Sequence, residues 1–152
     1  VTALRQLGYT GDFMGTQGTF HKDVPKMGEA AMEGLMSVSG YPMMYRDDPR
    51  NSPQLNEFMD AYRARFNHEA DQYSATGYIA IEMLAQALRN VGPNVTQDAV
   101  ATALEAVKFP PGFLGNPDYS FSPTRHIGAT SVRISQVKNG RWVPLNENVR
   151  IK

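Results

Sequence analysis

The stretch SATGYIAIEMLAQALR, residues 74–89, has almost no wet side. On a helical projection Ala75, Tyr78, Ile79, Ile81, Met83, Leu84 and Leu88 leave only a narrow polar stripe, essentially Glu82, Gln86 and Arg89. A helix with so little polar surface must be covered on most sides, as a central helix in a layered α/β protein is. Such cover is hard to arrange within one small domain.

The flanking segments supply other helices before they supply a sheet. Ser52-Pro53 offers a hydroxyl N-cap and a first-turn proline, after which Leu55, Phe58, Met59, Tyr62 and Phe66 fall on one helical face. Thr96 can cap a further helix in QDAVATALEAVKF, with Val100, Leu104 and Val107 as its buried stripe and Asp98 suited to the positive N-terminal end. PPGFLGNPDYSFSPTRHIG is a long irregular segment rich in Pro and Gly. In SVRISQVKNGRWVPL, Asn139-Gly140 is a strong signal for a tight hairpin, which would set Val137 against Trp142. The alternation of Val132 and Ile134 slips before Val137 and predicts a bulge.

Toward the N-terminus, Leu4 and Leu7 before Gly8 read as a helix end, and DFMG as a short buried strand. VPKMGEAAMEG reads as one short helix ending at Gly34, and GLMSVSGYPM as an extended segment. The chain thus opens on Val1 inside an element, which suggests a trimmed or fragmentary chain. The order strand, helix, strand, three helices, hairpin is mixed α/β, with helices too apolar for the sheet present.

At 152 residues the chain has the size of one ordinary domain and should fold without metal or disulfide. Fifteen Lys plus Arg balance fifteen Asp plus Glu without long runs of either sign, so neither nucleic acid nor an anionic membrane is indicated. The absence of cysteine removes disulfides, thiolate metal sites and cysteine nucleophiles together, and suits an oxidising compartment. No apolar run approaches the roughly eighteen residues of a spanning helix.

Enzyme constellations are equally scarce. His21, His68 and His126 stand far apart, none with a partner at the i+4 spacing that would place two imidazoles on a metal. There is no G-x-S-x-G elbow, P-loop or G-x-G-x-x-G. Asp47 and Asp48 lie in a proline-flanked loop, where solvation or a helix start explains them better than acid/base work. Asn94-Val95-Thr96 has the form of a glycosylation acceptor, but Thr96 already has a capping role. The eight methionines, Met43-Met44 among them, fill core gaps more often than they line a pocket. No catalytic residue, metal or cofactor is called for.

Two positions keep a functional reading beside a structural one. Gln17, in DFMGTQGTF, sits on a glycine-flanked loop after a strand, where open α/β sheets hold ligands, and its amide can donate and accept at once. Tyr78 lies four residues before Glu82, at the edge of the polar stripe, where a phenol could bury its ring and offer its hydroxyl to a cleft. On spacing alone, a turn residue and a core tyrosine account for them equally well.

Taken in order, LRQLGYTGDFMGTQG, GEAAMEGLMSVSGYP, FMDAYRARF, GYIAIEMLAQALRNVG, FSPTRHIG and VKNGRWVPL resemble the C-terminal half of a type I periplasmic binding protein, of the branched-chain amino-acid binding family that serves ABC importers. The resemblance covers essentially the whole chain. Each motif is short and degenerate; six in sequence, at about the family's spacing, carry it. It implies an α/β fold of two Rossmann-like lobes joined by three crossovers, here only the C-terminal portion, closing on a ligand like a hinge. Residues 1–41 would belong to the C-terminal lobe, 42–128 to the N-terminal lobe, and the hairpin 129–152 to the C-terminal lobe again. The cover for helix 74–89 would come mostly from the N-terminal half, which this chain lacks. Alone, the 152 residues are therefore expected to self-associate or to take up an exchanged segment.

The resemblance also implies a function: a periplasmic or extracytoplasmic protein that binds a small-molecule ligand and delivers it unchanged to an ABC permease in the membrane. Gln17 corresponds to the family's ligand-contacting carboxylate, typically a Glu that pairs with an ammonium group, and Tyr78 to its aromatic ligand contact. Thr16 and Thr19 flank Gln17 as further candidate contacts. The ligand implied is a small amino-acid-like or aromatic-acid metabolite; because Gln cannot supply the charge, a neutral or aromatic-acid ligand competes with a standard amino acid. The alternative that the same fold implies is a ligand-sensing domain of a receptor or regulator.

Overall fold

The computed structural model describes residues 1–150, with all side chains except those of 146–148. The chain forms two compact units, one made of Val1–Met43 and the chain from Ser131 onward, the other of Met44–Thr130.

The first unit is built on a four-stranded sheet in the order β1-β2-β3-β4: β1 Met14–Gly15, β2 Met36–Ser39, β3 Ser131–Lys138 and β4 Arg141–Arg150. β1 and β2 are parallel, and the remaining neighbours antiparallel. Asn139 and Gly140 turn the hairpin with φ of +52° and +70°, the left-handed pair that a two-residue connection requires. Val137 stands opposite Trp142, and the register slips between Val132 and Ile134 and again before Ser135. The pairing and the bulge expected from the sequence are both present. Leu35, Ser37 and Ser39 are buried, as are Ser135, Val137 and Trp142 on the neighbouring strands. Phe20 packs on the Trp142 ring at 5.2 Å, and the indole Nε1–H donates to the His21 carbonyl at 2.9 Å.

Helix α1, Thr2–Gln6, ends toward Gly8, whose φ is +86°. The Arg5 guanidinium then donates to the carbonyls of Tyr9 and Gly11, each at 3.0 Å, and lies over the Phe13 ring, closing the turn into β1. VPKMGEAAMEG, expected as one helix, is instead two separate 3₁₀ turns, Val24–Lys26 and Glu29–Met32. Gly28 lies between them, so close to α1 that a Cβ there would meet Thr2 Oγ1 at 2.8 Å and Met32 Cε at 2.7 Å. Glu29 follows with φ of +43°, so packing against α1 has overridden helix propensity.

The second unit holds three helices, α2 Pro53–Phe66, α3 Gln72–Val91 and α4 Gln97–Glu105. Ser52 Oγ accepts the Leu55 N–H at 3.1 Å and Thr96 Oγ1 the Ala99 N–H at 3.2 Å, so both expected caps are made. α3 begins two residues before the periodicity indicates, because Asp71 and Ser74 form a capping box with both reciprocal bonds at 2.8 Å. Arg46 bonds Asp60, Glu69 and the Met59 carbonyl, tying the entry of the unit to α2 and to the turn after it. Hydrogen bonds to Asp60 first, and then to Glu69, hold the exposed Arg46 guanidinium above its ordinary pKa. Its contribution would fade only as strongly alkaline pH passes that raised value, so it is constant through neutral pH. In the long irregular segment, the Asn116 side chain accepts the Leu114 N–H at 3.1 Å and donates to the carbonyls of Pro110 and Pro117, around the buried Leu114.

All four strands lie in the first unit, so the second has helices and no sheet strand among the described residues. The consequence is visible on α3. Ala75, Ile79, Met83 and Ala87 are buried, whereas Tyr73, Ile81, Leu84 and Leu88 are exposed, Ile81 by 65%. Glu82 and Gln86, read from the sequence as the wet stripe, are half-buried. The outermost face of α3 is therefore apolar. Among the described residues no helix is long and apolar enough to cross a membrane.

Candidate functional site

Gly15 ends β1 opposite Ser37 of β2, and the chain then turns through a single 3₁₀ turn, Gln17–Thr19. The Thr16 carbonyl accepts the Thr19 N–H at 2.9 Å and the Gln17 carbonyl the Phe20 N–H at 3.0 Å. Side chains brace this turn. Thr19 Oγ1 and Ser37 Oγ each approach the Thr16 carbonyl oxygen at 2.7 Å and each other at 2.9 Å. Gly15 is required by space: a Cβ there would lie 2.1 Å from Thr19 Oγ1 and 2.8 Å from Thr19 Cβ. At Gly18 the nearest atom to an added Cβ is Thr16 Oγ1 at 3.7 Å, an ordinary contact. Beyond the turn, the buried Phe20 anchors the loop under Trp142.

The braced turn presents Thr16 and Gln17 to the exterior, at the C-terminal end of β1 beside a parallel strand. That is the edge at which open α/β sheets receive ligands. From Phe13 to Phe20 the segment has no formally charged side chain, so its recognition chemistry is that of an amide, hydroxyls and backbone groups.

Tyr78 belongs to the second unit, on α3, and is 42% exposed. Its ring meets Phe58 of α2 at 5.3 Å, Phe58 continues to Tyr62 at 5.9 Å, and Tyr62 to Phe66 at 4.6 Å. The 58, 62, 66 spacing of the α2 rings was legible in the sequence; their contact with Tyr78 was not. Tilted rings at these distances favour a fixed ring orientation.

Of the four residues singled out from the sequence, Thr16, Gln17 and Thr19 share one turn of the first unit, while Tyr78 stands among aromatic rings of the second. The Thr19 hydroxyl is engaged within the loop. Ser37 was missed, although the small polar residues alternating in MSVS were its signal. Among the described residues no group of three or more His, Cys, Asp or Glu side chains could hold a metal.

Residues 1–141 match the family described as periplasmic binding protein. No curated protein matches the chain. Among solved structures, a branched-chain amino acid ABC transporter protein from Thermus thermophilus with bound valine is 20% identical, with a TM-score of 0.76 over 99% of this chain and 42% of its own. A leucine binding protein from Thermotoga maritima is 23% identical, with a TM-score of 0.71 over 95% of this chain and 39% of its own. A branched-chain amino acid transporter substrate binding protein from Streptococcus pneumoniae, in complex with isoleucine, is 19% identical, with a TM-score of 0.67 over 99% and 40%. The likeness is one of fold, and the chain spans about 40% of the length of each of these proteins.

Proposed function

The chain belongs to the periplasmic binding protein family and has the fold of part of a type I member, and on that premise we propose that it is part of the extracytoplasmic solute-binding component of an ABC importer. In this reading residues 1–41 and 129–152 belong to one lobe and 42–128 to the other, and a small solute is held as the lobes close. Gln17 from one lobe and Tyr78 from the other contact that solute, joined by Thr16. Thr19, whose hydroxyl is spent on the Thr16 carbonyl and Ser37, serves chiefly through the loop. The protein does no chemistry on the solute and passes it to a membrane permease.

The observation that carries this reading is the position of Gln17, an exposed residue on a braced turn at the C-terminal end of a parallel strand. A neutral amide pairs less strongly with an ammonium group than a carboxylate does, so among small amino-acid-like and aromatic-acid metabolites a neutral or aromatic-acid ligand competes with a standard amino acid. Valine and isoleucine, bound in two of the similar structures, are the natural reference compounds. The test is calorimetric titration of the natural full-length protein with L-valine, L-isoleucine, benzoate and phenylacetate. For whichever compound binds, Gln17→Ala and Tyr78→Ala are each expected to weaken affinity about tenfold or more. Unchanged affinity in both variants would remove these residues from the site.

A further inference from the structure

Ser37 is wholly buried, yet it occupies a strand position that a small apolar residue would fill without any polar atom to satisfy. Its hydroxyl repays that burial at one place, the peptide immediately preceding Gln17. The three oxygens Ser37 Oγ, Thr19 Oγ1 and Thr16 O lie within 2.7–2.9 Å of one another. Only two hydroxyl protons serve those three contacts, so both must point into the cluster, either together at the carbonyl or one through the other. The Thr16 carbonyl also receives the Thr19 N–H at 2.9 Å. The turn's own bond holds the carbonyl relative to Thr19, and the Ser37 hydroxyl ties it directly to β2.

We propose that the Ser37 and Thr19 hydroxyls form a clamp that fixes the Thr16 peptide to β2 and so positions Gln17 for its ligand. Gly15 makes the clamp sterically possible, since any Cβ at that position would occupy the space of the Thr19 side chain. Ser37 and Thr19 are positioning residues in this arrangement. The inference rests on the reading of Gln17 as a ligand contact, and its test separates the two.

The experiment uses the natural full-length protein with Ser37→Ala, Thr19→Val, Thr19→Ser and Gln17→Ala. Amide hydrogen exchange over residues 16–20 is followed by mass spectrometry, and affinity by titration with L-valine, L-isoleucine, benzoate and phenylacetate. With the clamp, Ser37→Ala and Thr19→Val accelerate exchange in that segment about tenfold without a comparable change elsewhere, and weaken binding of the active compound by a similar factor. Thr19→Ser, which keeps the hydroxyl, stays close to wild type in both readouts. Exchange unchanged in Ser37→Ala overturns the clamp, whichever compound binds. Weakening by Gln17→Ala and Thr19→Val but not by Ser37→Ala makes Thr19 a direct ligand contact and also overturns it. If Gln17→Ala binds as well as wild type, the reading of Gln17 fails, and the positioning role with it, even where exchange accelerates.

Discussion

At Gln17 a single charge separates two classes of ligand. The Gln17→Glu substitution changes neither the length nor the branching of the side chain, but places a carboxylate on an exposed turn that otherwise has no formal charge. Under the proposed function it should improve affinity for L-valine or L-isoleucine about tenfold and weaken affinity for benzoate or phenylacetate by a similar factor, as read by titration. Both directions failing together would mean that the ligand's polar group does not meet residue 17. Two positions earlier, Gly15→Ala inserts a methyl where Thr19 already sits, and should destabilise the fold by about 1–3 kcal/mol in a denaturant titration. The loop itself was legible in the sequence, from two glycines after a short apolar strand. The different duties of those glycines were not, because one is set by a side chain from the next turn and the other by no steric contact closer than 3.7 Å. Ser37 was hidden for the same reason: its partners are brought to it by parallel pairing of β1 with β2, which local periodicity does not report.

Elements set by local signals were read well, and those set by packing were not. The Ser52 and Thr96 caps and the Asn139-Gly140 hairpin depend on groups a few residues apart, and each is where the sequence put it. The two 3₁₀ turns around Gly28 depend on α1, and the sequence misread them as a helix. α3 lies between these cases, for its length and apolar content were plain but the side it leaves open was not. That side gives a sharp contrast between neighbours: Ile79→Ala, at a position 1% exposed, should cost about 2–5 kcal/mol by cavity formation. Ile81→Ala, at a position 65% exposed, should cost less than about 0.5 kcal/mol in the same 152-residue polypeptide when it is diluted below the concentration at which it self-associates. Equal costs, measured by urea unfolding, would mean that the Ile81 face is covered in solution. At the hairpin, Gly140→Ala forces an L side chain to φ of +70° and should cost about 1 kcal/mol or more.

On the scale of the whole molecule, the helical unit has no sheet strand of its own among the described residues and shows apolar side chains on α3 to solvent. The 152-residue polypeptide prepared alone is accordingly expected to self-associate, seen as a concentration-dependent mass in light scattering. A monodisperse monomer over about a hundredfold range of concentration would show that the exposed face is tolerated. The other unit has the opposite character, because its sheet joins strands from both sides of the helical segment; Gln136 bonds Gly34 across 102 positions. Helices close over short separations and the split sheet over a long one, so the two halves of the molecule should acquire structure at different speeds. Trp142, the only tryptophan, is nearly fully buried against Phe20 at the foot of the Gln17 loop and reports the slower event. In stopped-flow refolding, far-ultraviolet helix signal should return before tryptophan emission settles, so the Gln17 loop, which the proposed function makes the ligand contact, would be the last part of the chain to take shape.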